Sequence, residues 1–241
     1  MVVPARGVKA ETAFRERLGF RLVWLISSAR LRLSAASTLH SLPPSGLEAA
    51  LHYTVVIRPP AHVGTSVAPI LRRLREISPH HHYYPTDSMH VTMGGVGQFL
   101  HDGVDAAACL AELRSVIGLY QSFDLTVRGL NVSPSTVFAE VIPHGGTLRA
   151  LRADLRRIGP RTGGPSGFGD YVRYLLPHMN LVRFSERVTE DFLEEVSRSR
   201  LAWFERWTVS EVELIRTDTL LSRESRQVLA RIPLAPIHQS T

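Results

Sequence analysis

Two histidines, His90 and His178, stand 88 residues apart, and each is followed two positions later by a small hydrogen-bonding side chain, Thr92 in one case and Asn180 in the other. The surrounding stretches, Met89-His90-Val91-Thr92-Met93 and Pro177-His178-Met179-Asn180-Leu181, read as short strands. Side chains two apart in a strand share a face, so His90 and Thr92 would point one way while Val91 and Met93 pack behind them. His178 and Asn180 repeat the arrangement over Met179 and Leu181. Two imidazoles facing one cleft can act as general base and general acid near neutral pH, and Thr and Asn side chains can hold phosphate oxygens between them. The chemistry this implies is metal-free phosphodiester chemistry.

The tripeptide alone is weak evidence, because eleven histidines among many Ser and Thr residues generate it by chance. His52-Tyr53-Thr54 and His238-Gln239-Ser240 also fit. The second lies in a tail, 233–241, expected to have no fixed structure. His52 sits on what reads as the first strand and is kept as a candidate substrate contact. Only 38 residues separate it from His90, too few for the two to be equivalent members of separate lobes.

The elements that must position these residues follow from periodicity. Leu51 to Ile57 reads as a strand stopped by Pro59-Pro60, and Val63 to Ile77 as a helix. After the first motif strand come a helix (105–119), two strands (123–130 and 136–142) and a third helix (147–158). The second motif strand (175–184) leads to a helix (189–197), one long strand (207–216) and a short strand near 227–232. The motif strands occupy comparable places in two strand-and-helix groups, which suggests a duplicated lobe. Residues 1–48 are Arg-rich with a Ser/Ala/Pro-rich end, and read as a flexible or partly helical extension, ahead of an over-long start or an organellar transit segment. The domain is expected over 49–232.

A formal charge of +6 and a pI near 10.1 favour an anionic partner such as RNA or a nucleotide. The excess is nearly all arginine, with Lys9 the only lysine, which fits a GC-rich genome as well as phosphate binding. The lone Cys109 allows no intrachain disulfide, which points to a reducing compartment, and no apolar run is long enough to span a bilayer. A cytoplasmic monomer with no membrane association is the expectation. The glycine-rich stretch Gly163 to Gly169 lacks the Lys-Ser/Thr of a P-loop and reads as a mobile loop, with Tyr171 at its end as a candidate substrate contact. In His80-His81-His82-Tyr83-Tyr84, Tyr83 and Tyr84 could stack on a base or pack against the sheet. Three adjacent histidines on extended chain point in opposite directions, so no metal site is expected there.

In its paired motifs the chain resembles the two-histidine (2H) phosphoesterases, which include bacterial RNA 2',3'-cyclic phosphodiesterases long described as 2'-5' RNA ligases. The features are His90-Val91-Thr92-Met93 with Gly94-Gly95 after it, and Pro177-His178-Met179-Asn180-Leu181-Val182-Arg183. The resemblance covers roughly 51–232. It implies an α+β fold, bilobal and duplicated, with two antiparallel sheets flanking a central cleft and helices on the outside. It implies hydrolysis of a 2',3'-cyclic phosphate on an RNA end or small nucleotide, with His90 and His178 as acid and base in either order and no cofactor. Thr92, Asn180 and Arg183 would bind phosphate, although strict strand alternation turns Arg183 away from His178 unless a bulge or twist returns it. One departure is Asn180, where the family usually has Thr or Ser; its NH2 can still donate to a phosphate oxygen. The competing readings are a non-catalytic RNA- or nucleotide-binding protein on the same scaffold and a 2'-5' phosphodiester ligase or hydrolase.

Overall fold

The computed structural model describes residues 6–33, 52–94, 106–158, 176–218 and 220–236. Among them are five helices, α1 (Arg6–Leu33), α2 (Ala61–Ile77), α3 (Ala106–Ile117), α4 (Thr147–Leu155) and α5 (Glu190–Arg198). The strands are β1 (His52–Ile57), β2 (His82–Tyr83), β3 (Val91–Gly94), β4 (Phe123–Ser133), β5 (Thr136–Pro143), β6 (His178–Arg183), β7 (Trp203–Val209), β8 (Glu211–Thr217) and β9 (Gln227–Pro233). The class is α+β, as the family resemblance implies.

The strands lie in the order β7-β4-β5-β6-β3-β1-β8-β9, antiparallel throughout, with β2 also paired to β6. The two halves expected as separate sheets are joined. Their innermost strands, β3 and β6, come close enough to pair at one position, Val91 with Met179, so the halves form one hydrogen-bonded sheet with a narrow seam. The stretch expected as one long strand over 207–216 is two, β7 and β8, broken at Ser210. β7 pairs with β4 and β8 with β1, so the chain crosses between halves there while staying extended, which periodicity cannot register.

One face of the sheet carries the main core. Val55 and Ile57, Val91 and Met93, Leu125 and Val127, Val137, Ala139 and Val141, and Met179 and Leu181 are all buried in a single cluster. Helices cover that face with residues three or four apart, as Val63, Val67, Ile70 and Leu74 do on α2. Helix α5 starts where its sequence says it should, with the Thr189 hydroxyl accepting from Phe192 N and two acidic residues in the first turn.

The opposite face is covered differently. Helix α1 packs there against β4 and β5, with Phe20 and Val23 set on Phe138, Ile142 and Leu176. Asn131 Nδ2 donates to Phe20 O at 2.8 Å and to Glu140 Oε1 at 3.0 Å, tying the helix to the strands. α1 thus covers the sheet face opposite α2 and leaves Leu18, Leu22 and Leu25 exposed on its own outer side. Farther along, Trp24 stacks under the Arg200 guanidinium, 4.4 Å from the ring centre, and Arg32 pairs with Glu190. On the other half, Leu221 of the β8–β9 connection packs on Val56 and Ile215.

Candidate active site

The four motif side chains meet at the seam. Val91 and Met179 face each other in the core, so alternation turns His90, Thr92, His178 and Asn180 to the opposite face. Continuing the antiparallel register from that pair sets Thr92 alongside His178 and His90 alongside Asn180. Directly opposed side chains in such a ladder have Cβ atoms roughly 5 Å apart. Thr92, His178 and Asn180 are half-buried, and His90 is buried.

Both imidazoles are held by the same device. His90 Nδ1 lies 2.9 Å from Ser88 O, and His178 Nδ1 lies 2.8 Å from Leu176 O. A carbonyl can only accept, so each Nδ1 carries the hydrogen and each Nε2 becomes the nitrogen that changes protonation state. In both cases the carbonyl belongs to the residue two before the histidine, so the constraint is built into the local backbone.

For His90 that backbone is a turn. β2 and β3 run along the same edge of β6, and between them the chain leaves the ladder through a 3-10 turn, Thr86–Ser88, before His90. The excursion is clamped by arginines. Arg58 Nη1 donates to Asp87 O at 2.7 Å while its Nε donates to buried Glu213 at 2.8 Å. Arg226 Nη1 also reaches Asp87 O, and Arg223 holds the Asp87 carboxylate at 2.6 Å. The hydrogen bond from Arg223 keeps the Asp87 carboxyl below its usual range. Gly64 of α2 completes the seat, since a Cβ there would lie 1.9 Å from Thr86 Cγ2.

For His178 the neighbours come from β5. Its ring sits 5.3 Å from that of Phe138, and Glu140 is its cross-strand partner. Glu140 is 3% exposed, and its desolvation raises the carboxyl pKa against the pull of Asn131, Arg128 and Arg200. Asn180 faces Phe138, and its Oδ1 lies 3.4 Å from Thr136 Oγ1. The single Thr136 hydroxyl proton has a closer acceptor in Val182 O at 2.7 Å. The contact with Asn180 therefore orients the amide weakly, with its NH2 turned away from Thr136.

The bulge that Arg183 required is present. Phe138 pairs with Asn180 and Thr136 with Arg183, so three steps on β6 match two on β5. Thr136 and Phe138 share a face, which returns Arg183 to the face of His178 and Asn180. His82 of β2 lies opposite Arg183, and its desolvated ring has a lowered pKa. Sequence reasoning weighed His82 only as a metal ligand; its place at this site comes from the β2–β6 pairing, which a two-residue strand does not announce.

Tyr83 is corrected. It turns to the core, its hydroxyl donates to Ser78 O at 2.8 Å and Arg75 lies over its ring, so it offers no face to a base. Tyr84 is on the His82 side but is 4% exposed, packed edge-on to that ring, and burial pushes its hydroxyl up to about 12. His52 pairs with Thr217, four residues along β1 from Val56, the residue opposite Thr92. At about 3.3 Å per residue that is about 13 Å from the seam. Tyr171 and the glycine-rich stretch lie outside the described residues. His81 is wedged between Phe184 and Phe192, and among the described residues no three His, Cys, Asp or Glu are grouped to hold a metal ion. Nor is any helix among them long and apolar enough to cross a membrane.

Comparison with known proteins places this geometry in a family. TT0787 of Thermus thermophilus matches with a TM-score of 0.53 at 19% identity, over 78% of this chain and 100% of that one. E. coli LigT, solved with 3'-AMP, matches with a TM-score of 0.54 at 18% identity, over 76% of this chain and 98% of that one. These likenesses are of fold. None of the curated proteins compared with the chain matches it. The model of the 2'-5' RNA ligase superfamily matches residues 59–220, a span that contains both histidine segments and most of the sheet. The chain belongs to the 2'-5' RNA ligase superfamily of two-histidine phosphoesterases.

Proposed function

We propose that the protein is a metal-independent phosphodiesterase that hydrolyses a 2',3'-cyclic phosphate on an RNA end or a small nucleotide. The observation that carries this reading is the matched pair of histidines, each with Nδ1 tied to the carbonyl two residues earlier, on one face of the β3–β6 seam. One Nε2 takes a proton from water as its oxygen attacks phosphorus. The other Nε2 gives a proton to the ribose oxygen as its bond to phosphorus breaks, leaving a phosphomonoester and a free hydroxyl. Thr92, Asn180 and Arg183 steady the non-bridging oxygens, where charge develops in the transition state. Which histidine acts as base depends on which ribose oxygen leaves. The nucleotide bound by the related LigT supports a nucleotide-like substrate. Closing a 2'-5' linkage would use the same groups in reverse, with hydrolysis dominant in water.

The test is hydrolysis of an oligonucleotide ending in a 2',3'-cyclic phosphate, in excess EDTA, by wild type and by the His90→Ala/His178→Ala double variant. Turnover by wild type alone is the expected result. Absence of wild-type turnover with ligand binding retained would replace this reading with the binding protein, and would make Asn180 the departure responsible.

A further inference from the structure

Helix α1 lies outside the span that the family model matches, yet it touches both groups that hold His178. The first is Leu176, whose carbonyl bonds His178 Nδ1. The Leu176 side chain is buried against α1 so closely that a Cβ added at Gly19 would lie 3.0 Å from Leu176 Cδ2. The second is Phe138, whose ring centre is 5.3 Å from that of His178 and 6.2 Å from that of Phe20. Phe20, Val23, Phe138, Ile142 and Leu176 form a separate apolar cluster on the catalytic side of the sheet, distinct from the main core. Asn131 fixes the register of the helix on that cluster through Phe20 O.

Resting on the function proposed above, we infer that α1 is a positioning element for His178, with Phe20 its principal positioning residue. The seat of His90 is built from a turn and arginines, all within residues 58–226. The seat of His178 is completed by a segment that precedes the family domain. Without Phe20, the Phe138 ring and the Leu176 side chain would each lose a packing neighbour, and the imidazole would lose its fixed orientation while Thr92 on β3 and Arg183 on β6 stayed in place. The consequence is a specific kinetic signature: kcat falls and KM does not.

The experiment compares full-length wild type, Phe20→Ala, Phe20→Leu and the control Leu25→Ala, which alters an exposed residue of the same helix. Turnover of the cyclic-phosphate oligonucleotide and the 15N shifts of the His178 ring nitrogens are read on each folded protein. Phe20→Ala should lower kcat roughly 10- to 100-fold with KM within about threefold, and should shift His178 away from the Nδ1–H form. Phe20→Leu should recover most of the loss, and Leu25→Ala should match wild type. Val23→Ala, a smaller change in the same cluster, reads the same coupling if Phe20→Ala does not fold. Wild-type kcat and an unmoved His178 spectrum in folded Phe20→Ala, or in folded Val23→Ala where that variant stands in, would overturn the inference. If wild type itself shows no turnover, the functional reading fails, and the His178 spectrum alone decides the positioning role.

Discussion

Gly64→Ala should lower activity as well as stability, and the structure supplies the size of both effects. A methyl at Gly64 would sit 1.9 Å from Thr86 Cγ2, 3.0 Å from its Cβ and 3.2 Å from its Oγ1. Ordinary contact begins at 3.4 Å, so Cγ2 must retreat by about 1.5 Å. Rotating the Thr86 side chain relieves Cγ2 but not Cβ, and the turn itself has to give. That turn is closed by Ser88 N to Pro85 O at 2.9 Å and Met89 N to Thr86 O at 3.3 Å, so it moves as a unit and carries Ser88 O, the acceptor for His90, with it. With Cγ2 rotated away, Cβ at 3.0 Å still lies 0.4 Å inside the 3.4 Å of ordinary contact; a displacement of ~1 Å at a reacting group costs on the order of 10² in rate, so this smaller shift costs on the order of several-fold. Overpacking costs about 1–3 kcal/mol, partly offset by a gain of about 1 kcal/mol from replacing glycine inside a helix. The expected outcome is kcat reduced roughly 3- to 10-fold with the melting temperature moved by only a few degrees. Turnover of the cyclic-phosphate oligonucleotide beside a thermal melt reads both. Adding Thr86→Ala removes Cγ2 and Oγ1 and should restore much of the rate. Wild-type kcat in Gly64→Ala, or a loss that Thr86→Ala does not touch, would refute the claim that this turn positions His90.

Single variants His90→Ala and His178→Ala should each lower kcat by at least about 10², and the double variant should lose little more, since the two groups act as a unit; steady-state kinetics on folded variants decides, and full activity in either sinks the assignment. Asn180→Thr should keep turnover within roughly tenfold of wild type because a hydrogen-bond donor remains, whereas Asn180→Asp should lose about 10²-fold or more by setting a carboxylate against phosphate; equal rates would place Asn180 away from the anion. Glu16, on the buried side of α1 and raised by desolvation from 4.5 to about 7, stays protonated in the folded state while the unfolded chain ionises, so its contribution is complete below pH 4.5 and is lost as pH rises to about 7. Urea titrations should therefore show Glu16→Gln gaining up to about 3 kcal/mol on wild type between about pH 4.5 and 8, and a difference that does not change with pH would remove Glu16 as the cause.

The motif strands were legible because their alternation is local: Val91 and Met93, Met179 and Leu181 are apolar on one side, and the polar partners fall on the other. The helices α2, α3, α4 and α5 were legible for the same reason, as each buries residues three or four apart. What the chain does not write locally is pairing. The join between the halves depends on one Val91–Met179 contact, the split of β7 from β8 on which strand each side pairs with, and the return of Arg183 on a bulge defined by β5. Arg183 is instructive, because strict alternation turns it away from His178 and only the register with β5 brings it back to the same face. Tyr83 shows the reverse, an aromatic beside the motif whose hydroxyl and ring are both taken up inside the core.

The two histidines share a hydrogen-bond device but not its support, and the difference decides how each fails. Around His90 the exposed pair Arg223–Asp87 is screened by water and contributes little by itself. Arg58 is different, because one planar guanidinium serves buried Glu213 through Nε and the Asp87 carbonyl through Nη1. A lysine there would keep the charge but could not span both acceptors in fixed geometry. Around His178 the support is apolar, held by Phe20, Val23, Phe138 and Leu176, and responds to lost volume and to anything that lifts α1. One member of the pair is thus fixed by directional bonds from Arg58, Arg223 and Arg226, and the other by packing against a helix near the start of the chain. The geometry across the seam then rests on both halves of the sheet and on α1 together, so in this chain the placement of the two histidines depends on more of the sequence than the two motifs.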